Sequence, residues 1–205
     1  MLIGLNGLKG SGKDTVGSYL VDRYGFEQLS FAAKLKESAA ALFNVDPKMW
    51  ETWKNDPTMR VMLYKAEEYE PWEVESDGDP DHYINTISVR QFLQRYGTEA
   101  HRSVFGSDFW VDQALEGIDP NKNHIFTDAR FENELQRIKS LGGYNVQILR
   151  PELTNQDSHA SEIPPPLHMI DYVISNSGDF EFLYSRVDDF IEWLKAWSRT
   201  YDVCV

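Results

Sequence analysis

A glycine-rich segment near the start of the chain has the residue types and the spacing of a phosphate-binding loop. Residues 7–15 read Gly-Leu-Lys-Gly-Ser-Gly-Lys-Asp-Thr and match the pattern G-x-x-x-x-G-K. The glycines allow successive backbone N–H groups to face one anion, and the helix predicted after them adds partial positive charge at its N-terminus. Lys13 can reach the outer phosphates of a nucleotide. Because a buried strand is predicted before the segment and a helix after it, a nucleotide phosphate site is favoured over a ligand-free glycine turn.

Asp14 departs from the usual pattern, which has Ser or Thr after the lysine because a hydroxyl at this position coordinates Mg²⁺. A carboxylate beside phosphates is repelled unless a cation lies between them. Asp14 could therefore bind Mg²⁺ directly or through water, with the hydroxyl of Thr15 nearby. Alternatively, Asp14 only stabilises the N-terminus of the helix. Both interpretations are open at this point.

A second segment with chemical potential follows an apolar strand in the second half of the chain. Residues 125–134 read Ile-Phe-Thr-Asp-Ala-Arg-Phe-Glu-Asn-Glu. Asp128 ends the strand, where proteins that transfer phosphoryl groups keep a carboxylate near the metal. Arg130 would lie at the carboxyl edge of the sheet, where ligands bind in open α/β sheets. The alternatives are that Asp128 caps the next helix, with Glu132 in its first turn, and that Arg130 is a solvated charge.

The elements that would position these groups are strands alternating with helices. The predicted strands are residues 2–6, 26–32, 124–127, 144–149 and 171–174. The predicted helices are residues 13–24, 33–43, 88–100, 108–116, 131–141 and 179–198. Gly25 is expected just past the end of the first helix, Asp108 at the N-cap of the fourth, and Gly97 near the end of the helix that Ser88 opens. The alternation predicts an α/β fold with a mainly parallel sheet covered on both faces.

Two segments interrupt this alternation. Residues 44–87 contain Trp50, Trp53 and Trp72 among several Pro, Asp and Glu, and are interpreted as an insertion between core elements. Residues 150–168 form a polar, proline-containing loop. With these two segments included, residues 1–205 are predicted to be a single domain.

The composition limits the possible function classes. The chain has 205 residues and a formal net charge of −13, which disfavours binding to nucleic acid through its phosphates. No window approaches the roughly 20 consecutive apolar residues of a membrane span, and no signal peptide is recognised. The one cysteine, Cys204, excludes an internal disulfide framework and fits a reducing compartment such as the cytoplasm. An acidic protein that binds phosphates needs clustered Lys and Arg, backbone N–H groups and a divalent cation.

Five segments of the chain resemble phage-type deoxynucleoside monophosphate kinases. The matching segments are residues 10–15, 90–102 with 108–111, 127–134, 158–162 and 172–178, in the expected order over most of the chain. The Asp-containing phosphate loop is also found in phosphomevalonate kinases of the animal type. The joint pattern is therefore more specific than any one motif. Residues 44–87 match no part of this pattern.

The resemblance implies a fold and an activity. The fold is a three-layer P-loop kinase core, similar to adenylate kinase, with a mobile lid at residues 151–163 that includes His159 and Glu162. The activity is transfer of the γ-phosphate of ATP, with Mg²⁺, to the 5′-phosphate of a deoxynucleoside monophosphate. A homodimer in the cytoplasm, the host cytoplasm if the gene is viral, is a family-level expectation.

The resemblance also implies roles for individual residues. Those expected to bind ATP are Gly7, Lys9, Gly10, Ser11, Gly12, Lys13, Asp14, Thr15, Arg150 and Asn176. Those expected at the acceptor are Arg90, Arg102, Trp110, Arg130 and Glu134. Lys13, Asp14, Asp128 and Arg130 would be catalytic, and Asp14, Thr15 and Asp128 would lie near the metal. More ordinary roles stay open: a core aromatic for Trp110, a surface ion pair for Arg102, a solvated charge for His159 and Glu162, and a cap or turn for Asn176.

Two other functions stay open from the sequence. One is a P-loop kinase for another acceptor, such as phosphomevalonate or dephospho-coenzyme A, although the tryptophans of residues 44–87 weakly favour an aromatic base. The other is a nucleotide-binding regulator that transfers no group. Dependence of ADP release on the acceptor would separate the kinases, and slow ATP hydrolysis without acceptor dependence would indicate the regulator.

Overall fold

The computed structural model describes residues 1–62, 86–153 and 165–201. The chain divides into two compact units, the first formed by Met1–Ala33 with Val111–Val205 and the second by Lys34–Trp110. Several sequence-based predictions lie outside the described residues: those for His159, Glu162, Trp72 and Cys204, and for the middle of the lid-like loop.

The first unit is built on a parallel sheet. Its strands in the described part of the chain are β1 (Leu2–Asn6), β2 (Glu27–Leu29), β5 (His124–Phe126), β6 (Tyr144–Leu149) and β7 (Tyr172–Ser175). They are arranged in the order β2-β5-β1-β6-β7, and each neighbouring pair is parallel. The central strand β1 is buried along its whole length, as expected for a sheet with both faces covered.

Helices cover both faces of this sheet. The described helices of the unit are α1 (Lys13–Tyr24), most of α6 (Phe109–Leu115), α7 (Glu132–Ser140) and α8 (Phe180–Tyr201), with the 3₁₀ turn Leu167–Met169. Ile3 and Leu5 share a buried cluster with residues of α1 and α8, whereas Leu2 shares one with residues of α7. Gly4 lets α7 approach, because a Cβ at this position would lie 2.3 Å from Ile138. The predicted α/β fold with a mainly parallel, doubly covered sheet is therefore confirmed.

Glycines set both ends of α1, as the sequence predicts. Gly12 at the N-cap has φ of 106° and Gly25 at the C-cap has φ of 70°, a conformation that other residues rarely adopt. The N–H of Gly25 donates to the carbonyl of Val21 at 3.1 Å, and the N–H of Phe26 donates to that of Leu20 at 3.3 Å. These bonds satisfy the last turn of the helix and release the chain into β2.

The second strand is shorter than predicted, because it ends at Leu29 and not at Ala32. The carboxylate of Asp128 accepts hydrogen bonds from the N–H of Phe31 at 2.9 Å and of Ala32 at 3.0 Å. Those donors are thereby withdrawn from the ladder of the sheet. A side chain nearly a hundred residues away thus ends the strand, which a local pattern cannot show.

The second unit includes the predicted insertion, residues 44–87, whose described part contains α3 (Met49–Trp53), β3 (Arg60–Met62) and the first residues of β4 (Thr86–Ser88). The other described elements of the unit are α4 (Val89–Arg95), the π-helix Tyr96–Arg102 and α5 (Ser103–Phe105), and the unit contains most of α2 (Ala33–Phe43) and the start of α6 (Phe109–Leu115). Strands β3 and β4 pair antiparallel, with Arg60 opposite Ser88. Trp50 is 1% exposed and its Nε1 donates to the carbonyl of Lys36 at 3.0 Å, so this tryptophan packs in the core of the unit.

The predicted start of α4 is correct and its predicted end is wrong. Ser88 is the N-cap, its Oγ accepting from the N–H of Gln91 at 3.2 Å while Gln91 Oε1 accepts from the N–H of Ser88 at 3.0 Å. Gly97 does not end the helix, which continues through it as a π-helix. Gly97 is instead buried against Leu35, where an added Cβ would lie 2.3 Å from Cδ1. None of the described helices is long and apolar enough to cross a membrane.

Candidate functional site

The candidate site lies at the carboxyl edge of the parallel sheet, where the loops after β1, β5, β6 and β7 begin. Asn6 ends β1 and is 5% exposed. Its Nδ2 donates to the carbonyl of Ala129 at 2.9 Å, which ties the loop after β5 to the start of the glycine-rich loop. Ligands in open α/β sheets bind at this edge, so both predicted motifs stand where a ligand can reach them.

The glycine-rich loop curls around the ammonium group of Lys13. Lys13 is 7% exposed, and its Nζ donates to the carbonyls of Gly7 at 2.6 Å and Leu8 at 2.8 Å. Gly12 has φ of 106°, and a Cβ there would lie 2.7 Å from Nδ2 of Asn176. The loop therefore requires glycine at this position for both its conformation and its packing.

Ser11 contributes a buried hydroxyl to the same loop. Its side chain is 1% exposed, and its Oγ has no hydrogen-bond partner among the described residues. Burying an unsatisfied hydroxyl is unfavourable, so buried polar groups of this kind are normally paired with protein, water or ligand. An oxygen-rich ligand such as a phosphate chain fits a loop with this orphan donor.

A cavity of about 500 Å³ opens beside the loop. Its lining residues are Gly10, Gly12, Lys13, Asp14, Thr15, Arg150, Asn176, Gly178, Asp179, Phe180 and Leu183. The structure therefore brings the predicted loop together with two residues predicted on other loops. Arg150 Nη1 donates to the carbonyl of Gly10 at 3.4 Å, and Asn176 Nδ2 donates to the carbonyl of Ser11 at 2.8 Å. Asn176 thus braces the glycine-rich loop in addition to lining the cavity.

Four lining residues were not singled out from the sequence: Gly178, Asp179, Phe180 and Leu183. They follow the last strand of the sheet and begin α8. Asp179 Oδ1 accepts from the N–H of Phe182 at 2.9 Å, as a helix-capping Asp does. A capping residue shortly after a strand, here Asp179 after the end of β7 at Ser175, is the signal that could have identified this wall of the cavity.

Asp14 and Thr15 are the residues of this site that could contact a metal ion. Both line the cavity beside Lys13, and Asp14 is exposed. Among the described residues, no three His, Cys, Asp or Glu side chains form a cluster that could hold a metal by themselves. Mg²⁺ that enters with a nucleotide usually takes phosphate oxygens, waters and only one or two protein groups. The carboxylate and the hydroxyl present here fit that requirement.

Asp128 has a different environment from the one expected for a metal ligand. Its Oδ2 accepts from Oγ of Ser30 at 2.6 Å and from the N–H of Ala32, and its Oδ1 accepts from the N–H of Phe31. It is not among the residues that line the cavity. The alternative of a helix cap is wrong, because α7 begins at Glu132 with Phe131 at its N-cap. The carboxylate instead holds the turn after β2.

Glu134 is buried beneath the loop that carries Arg130. It is 2% exposed, and its Oε2 accepts from the N–H of Arg130 at 2.8 Å and of Phe131 at 3.0 Å. These bonds fix the main chain from which the Arg130 side chain projects. Glu134 therefore supports the main chain at Arg130, and its contact with substrate stays a prediction.

The other predicted acceptor residues belong to the second unit. Arg90 Nη2 donates to Oδ1 of Asn55 at 3.2 Å, and Arg102 ends the π-helix. Trp110 is 4% exposed, its Nε1 donates to the carbonyl of Gly97 at 3.0 Å, and its ring centroid lies 4.9 Å from that of His101. Its burial supports the alternative that Trp110 is a core aromatic. The acceptor roles of Arg90 and Arg102 stay predictions.

Comparison with known proteins connects this site to a family. The family model described as deoxynucleotide monophosphate kinase matches residues 76–187. A protein of Acanthamoeba polyphaga mimivirus, provisionally named a deoxynucleotide monophosphate kinase, is 32% identical over 191 residues, covering 91% of this chain and 94% of that protein. The deoxynucleotide monophosphate kinase of enterobacteria phage T4 is 24% identical over 239 residues, covering 94% of this chain and 99% of that protein.

One solved structure is similar over most of both chains. Shikimate kinase from Aquifex aeolicus covers 97% of this chain and 98% of its own, with 14% sequence identity and a TM-score of 0.42. A likeness of this size says nothing about the acceptor that this chain uses.

Proposed function

We propose that this chain, which belongs to the deoxynucleotide monophosphate kinase family, transfers the γ-phosphate of ATP to a deoxynucleoside 5′-monophosphate. The observation that carries the proposal is the glycine-rich loop with Lys13 at its centre, which opens on one cavity together with Arg150 and Asn176. Family membership supports the acceptor class, and the loop supports the donor. A P-loop kinase for phosphomevalonate or dephospho-coenzyme A, or a regulator without transfer, is not favoured by either.

The chemistry is an in-line displacement at phosphorus. An oxygen of the acceptor 5′-phosphate attacks the γ-phosphorus of ATP, the new P–O bond forms, and the bond to the β,γ-bridging oxygen breaks to release ADP. The acceptor phosphate is already largely dianionic at neutral pH, so the reaction needs no general base. The protein therefore contributes by positioning the two phosphates and by compensating their charge.

Lys13 and the backbone of the glycine-rich loop are proposed to hold the β- and γ-phosphates of ATP. The loop donates N–H groups at the N-terminus of α1, and Lys13 adds a point charge that is already buried within the loop. Ser11 supplies a hydroxyl to the same phosphates. Lys13 Nζ donates to the carbonyls of Gly7 and Leu8 in this structure, so it would exchange hydrogen bonds within the loop for contacts with phosphate when the nucleotide binds.

Asp14 and Thr15 are proposed to contact Mg²⁺ that enters with ATP. When bound, the ion neutralises charge on the β- and γ-phosphate oxygens. The Thr15 hydroxyl would provide the ligand that Ser or Thr usually supplies one position earlier, and Asp14, which also lines the cavity, would contribute its carboxylate directly or through water. With Mg²⁺ between them, the Asp14 carboxylate and the phosphates would not be in direct contact.

Arg130 is proposed to bind the acceptor phosphate, with its main chain held by Glu134. The acceptor roles that the family resemblance implies for Arg90 and Arg102 are likewise kept as proposals. A single domain over residues 1–205, a homodimer, and a cytoplasmic location without nucleic-acid or membrane partners are also kept as proposals.

An acceptor panel tests the proposal. ADP release is measured with ATP and Mg²⁺ against dAMP, dCMP, dGMP, dTMP, the ribonucleoside monophosphates, phosphomevalonate and dephospho-coenzyme A. We expect strong stimulation by one or more deoxynucleoside monophosphates. Stimulation only by phosphomevalonate or dephospho-coenzyme A would replace the acceptor class, and hydrolysis without acceptor dependence would replace the kinase with a regulator.

A further inference from the structure

Phe180 is an exposed aromatic residue at the wall of the nucleotide cavity. It is the first residue of α8 and 66% of its surface is accessible, although it lines the same cavity as Lys13 and Asn176. A phenylalanine exposed at a cavity wall offers an aromatic face that a ligand can cover, and covering it is favourable because apolar surface is then removed from water. Phosphate binding and metal binding, the roles proposed for other residues of the cavity, do not account for an aromatic ring at this position.

The ring of Phe180 is supported from behind by other aromatic rings. Its centroid lies 6.2 Å from that of Tyr184, with 29° between the ring planes. Tyr184 in turn stacks on Tyr19 at 4.2 Å with 6° between the planes, and the hydroxyl of Tyr19 donates to Oδ1 of Asp188 at 2.9 Å. This stack of aromatic rings connects one side of Phe180 to α1 and α8 and leaves the rest of its surface accessible.

A neighbouring phenylalanine has a different environment. Phe182 is 38% exposed and is not among the residues that line the cavity. The guanidinium of Arg186 lies 5.3 Å from the centre of its ring, and Gly178 approaches it so closely that a Cβ there would lie 2.9 Å from it. Phe182 is therefore the less exposed of the two and lies outside the cavity lining, whereas Phe180 is more exposed and lines the cavity.

The polar side chains beside Phe180 already have hydrogen-bond partners in the protein. Nδ2 of Asn176 donates to the carbonyl of Ser11, and Oδ1 of Asp179 accepts from the N–H of Phe182. A flat, largely apolar group that enters this end of the cavity would thus meet an aromatic ring first. Every nucleobase has a π-face, and base–aromatic stacking is a common source of affinity for nucleotides.

We infer that Phe180 is the stacking platform for the base of the donor nucleotide. The inference rests on the proposed function, because it takes the phosphates of that nucleotide to lie in the glycine-rich loop. Phosphate binding and base binding are then supplied by different parts of the cavity wall: the loop after β1 holds the phosphates, and the start of α8 holds the base. The two contributions are separable by experiment.

Calorimetric binding of two ligands tests the inference. The dissociation constants of Mg²⁺-ATP and of Mg²⁺-tripolyphosphate, which has the phosphates and no base, are measured for the wild-type chain, Phe180→Ala, Phe180→Leu, Phe180→Trp and Phe182→Ala. We expect Phe180→Ala and Phe180→Leu to weaken ATP binding about tenfold and to leave tripolyphosphate binding within twofold. Phe180→Trp should retain ATP binding, and Phe182→Ala should change neither constant.

Other results would overturn the inference. Unchanged ATP binding in Phe180→Ala, or an equal loss for ATP and tripolyphosphate, would mean that Phe180 does not stack on the base. Phe180→Leu keeps the apolar bulk, so a loss in that variant with an unchanged unfolding temperature reports the aromatic face and not folding. Failure of the wild-type chain to bind either ligand would contradict the proposed function itself. Lys13→Ala should weaken the binding of both ligands, and it serves as the control for binding through the phosphates.

Discussion

The two acidic residues predicted at the metal have different environments at the carboxyl edge of the same sheet. Asp14 follows β1 and lines the cavity beside Lys13. Asp128 follows the adjacent strand β5 and accepts three hydrogen bonds from residues 30–32. Asp128 follows an apolar strand, and Asp14 follows the loop after such a strand. The two carboxylates therefore look alike in the sequence. The difference shows that the use of a carboxylate depends on whether the protein already satisfies its oxygens.

The same difference extends to Lys13 in the loop after β1 and to Glu134, which holds the loop after β5. Around Asp128 and Glu134, main-chain N–H groups are held by carboxylate oxygens. Around Lys13 and Asp14, polar side chains face a cavity. In the first loop, substitution of Lys13 or Asp14 should therefore change ligand binding and turnover with little change in stability. Substitutions of the carboxylates in the second should change stability as well.

The largest effect is expected for Lys13→Ala. Removing a buried cation from the phosphate loop should lower kcat/KM at least 100-fold, because the charge on the transferring group is then uncompensated. The unfolding temperature should stay close to that of the wild type. Steady-state kinetics and thermal unfolding check both points, with Lys195→Ala, an exposed lysine on α8, as the control. Turnover near the wild-type value would remove the loop from the mechanism.

The next largest effect is expected for Asp128→Ala, and it is an effect on stability. Phe31 and Ala32 lose a charged acceptor for their N–H groups, which should lower the free energy of unfolding by about 2 kcal/mol. Denaturant unfolding measures this, and Asp22→Ala, an exposed aspartate on α1, should change it by less than about 0.5 kcal/mol. If Asp128→Ala kept full stability and lost Mg²⁺ dependence instead, Asp128 would be a metal ligand after all.

Asp14→Asn should show the opposite pattern. Stability should change little, because the side chain is exposed. The Mg²⁺ concentration for half-maximal activity should rise about tenfold, which corresponds to about 1.4 kcal/mol of metal binding. Titration of activity with Mg²⁺ at saturating ATP measures the shift. An unchanged Mg²⁺ requirement with lower stability would support the simpler role of Asp14 at the helix N-terminus.

Glu51, in the second unit, adds a carboxylate whose partners are cations. Burial alone would raise its pKa, but hydrogen bonds and charge from Lys36 and Lys54 outweigh burial and lower the pKa to about 2. A lowered pKa means that the ion pairs stabilise the fold above the unfolded-state pKa of about 4.3 and lose that contribution as the pH falls toward 2. Because the group is half exposed, the effect should stay below about 1 kcal/mol.

Glu51→Gln tests this smallest effect. The variant should be slightly less stable than the wild type at pH 6, and the difference should shrink as the pH falls from about 4.5 to 2. Thermal unfolding across this range gives the comparison. A difference that is independent of pH would mean that the lysines do not stabilise the ionised carboxyl.

The sequence predicted the parts of the fold that depend on local pattern. The glycine-rich loop, the boundaries of α1 and the cap at Ser88 follow from spacing and capping rules, and the structure confirms them. The end of β2 and the passage of the helix through Gly97 do not, because Asp128 and Leu35 act from distant positions in the chain. A glycine that ends a helix and a glycine that admits a neighbour look the same in sequence.

The same limit applies to the candidate site. Lys13, Asp14 and Thr15 are adjacent in sequence, so their motif was visible before the fold was known. Phe180 was not, because only the fold that brings the start of α8 and the glycine-rich loop to one cavity makes it part of the site. Its exposed fraction and its aromatic support are properties of the folded chain.

The most direct test of the account follows the transferred phosphate itself. ATP labelled at the γ-phosphate is incubated with Mg²⁺, the wild-type chain and a deoxynucleoside monophosphate that stimulates ADP release, and the labelled products are separated. The account predicts that the label appears as the β-phosphate of the deoxynucleoside diphosphate, in equal amount to the ADP formed, and that Lys13→Ala abolishes it. Label recovered only as inorganic phosphate would contradict the account.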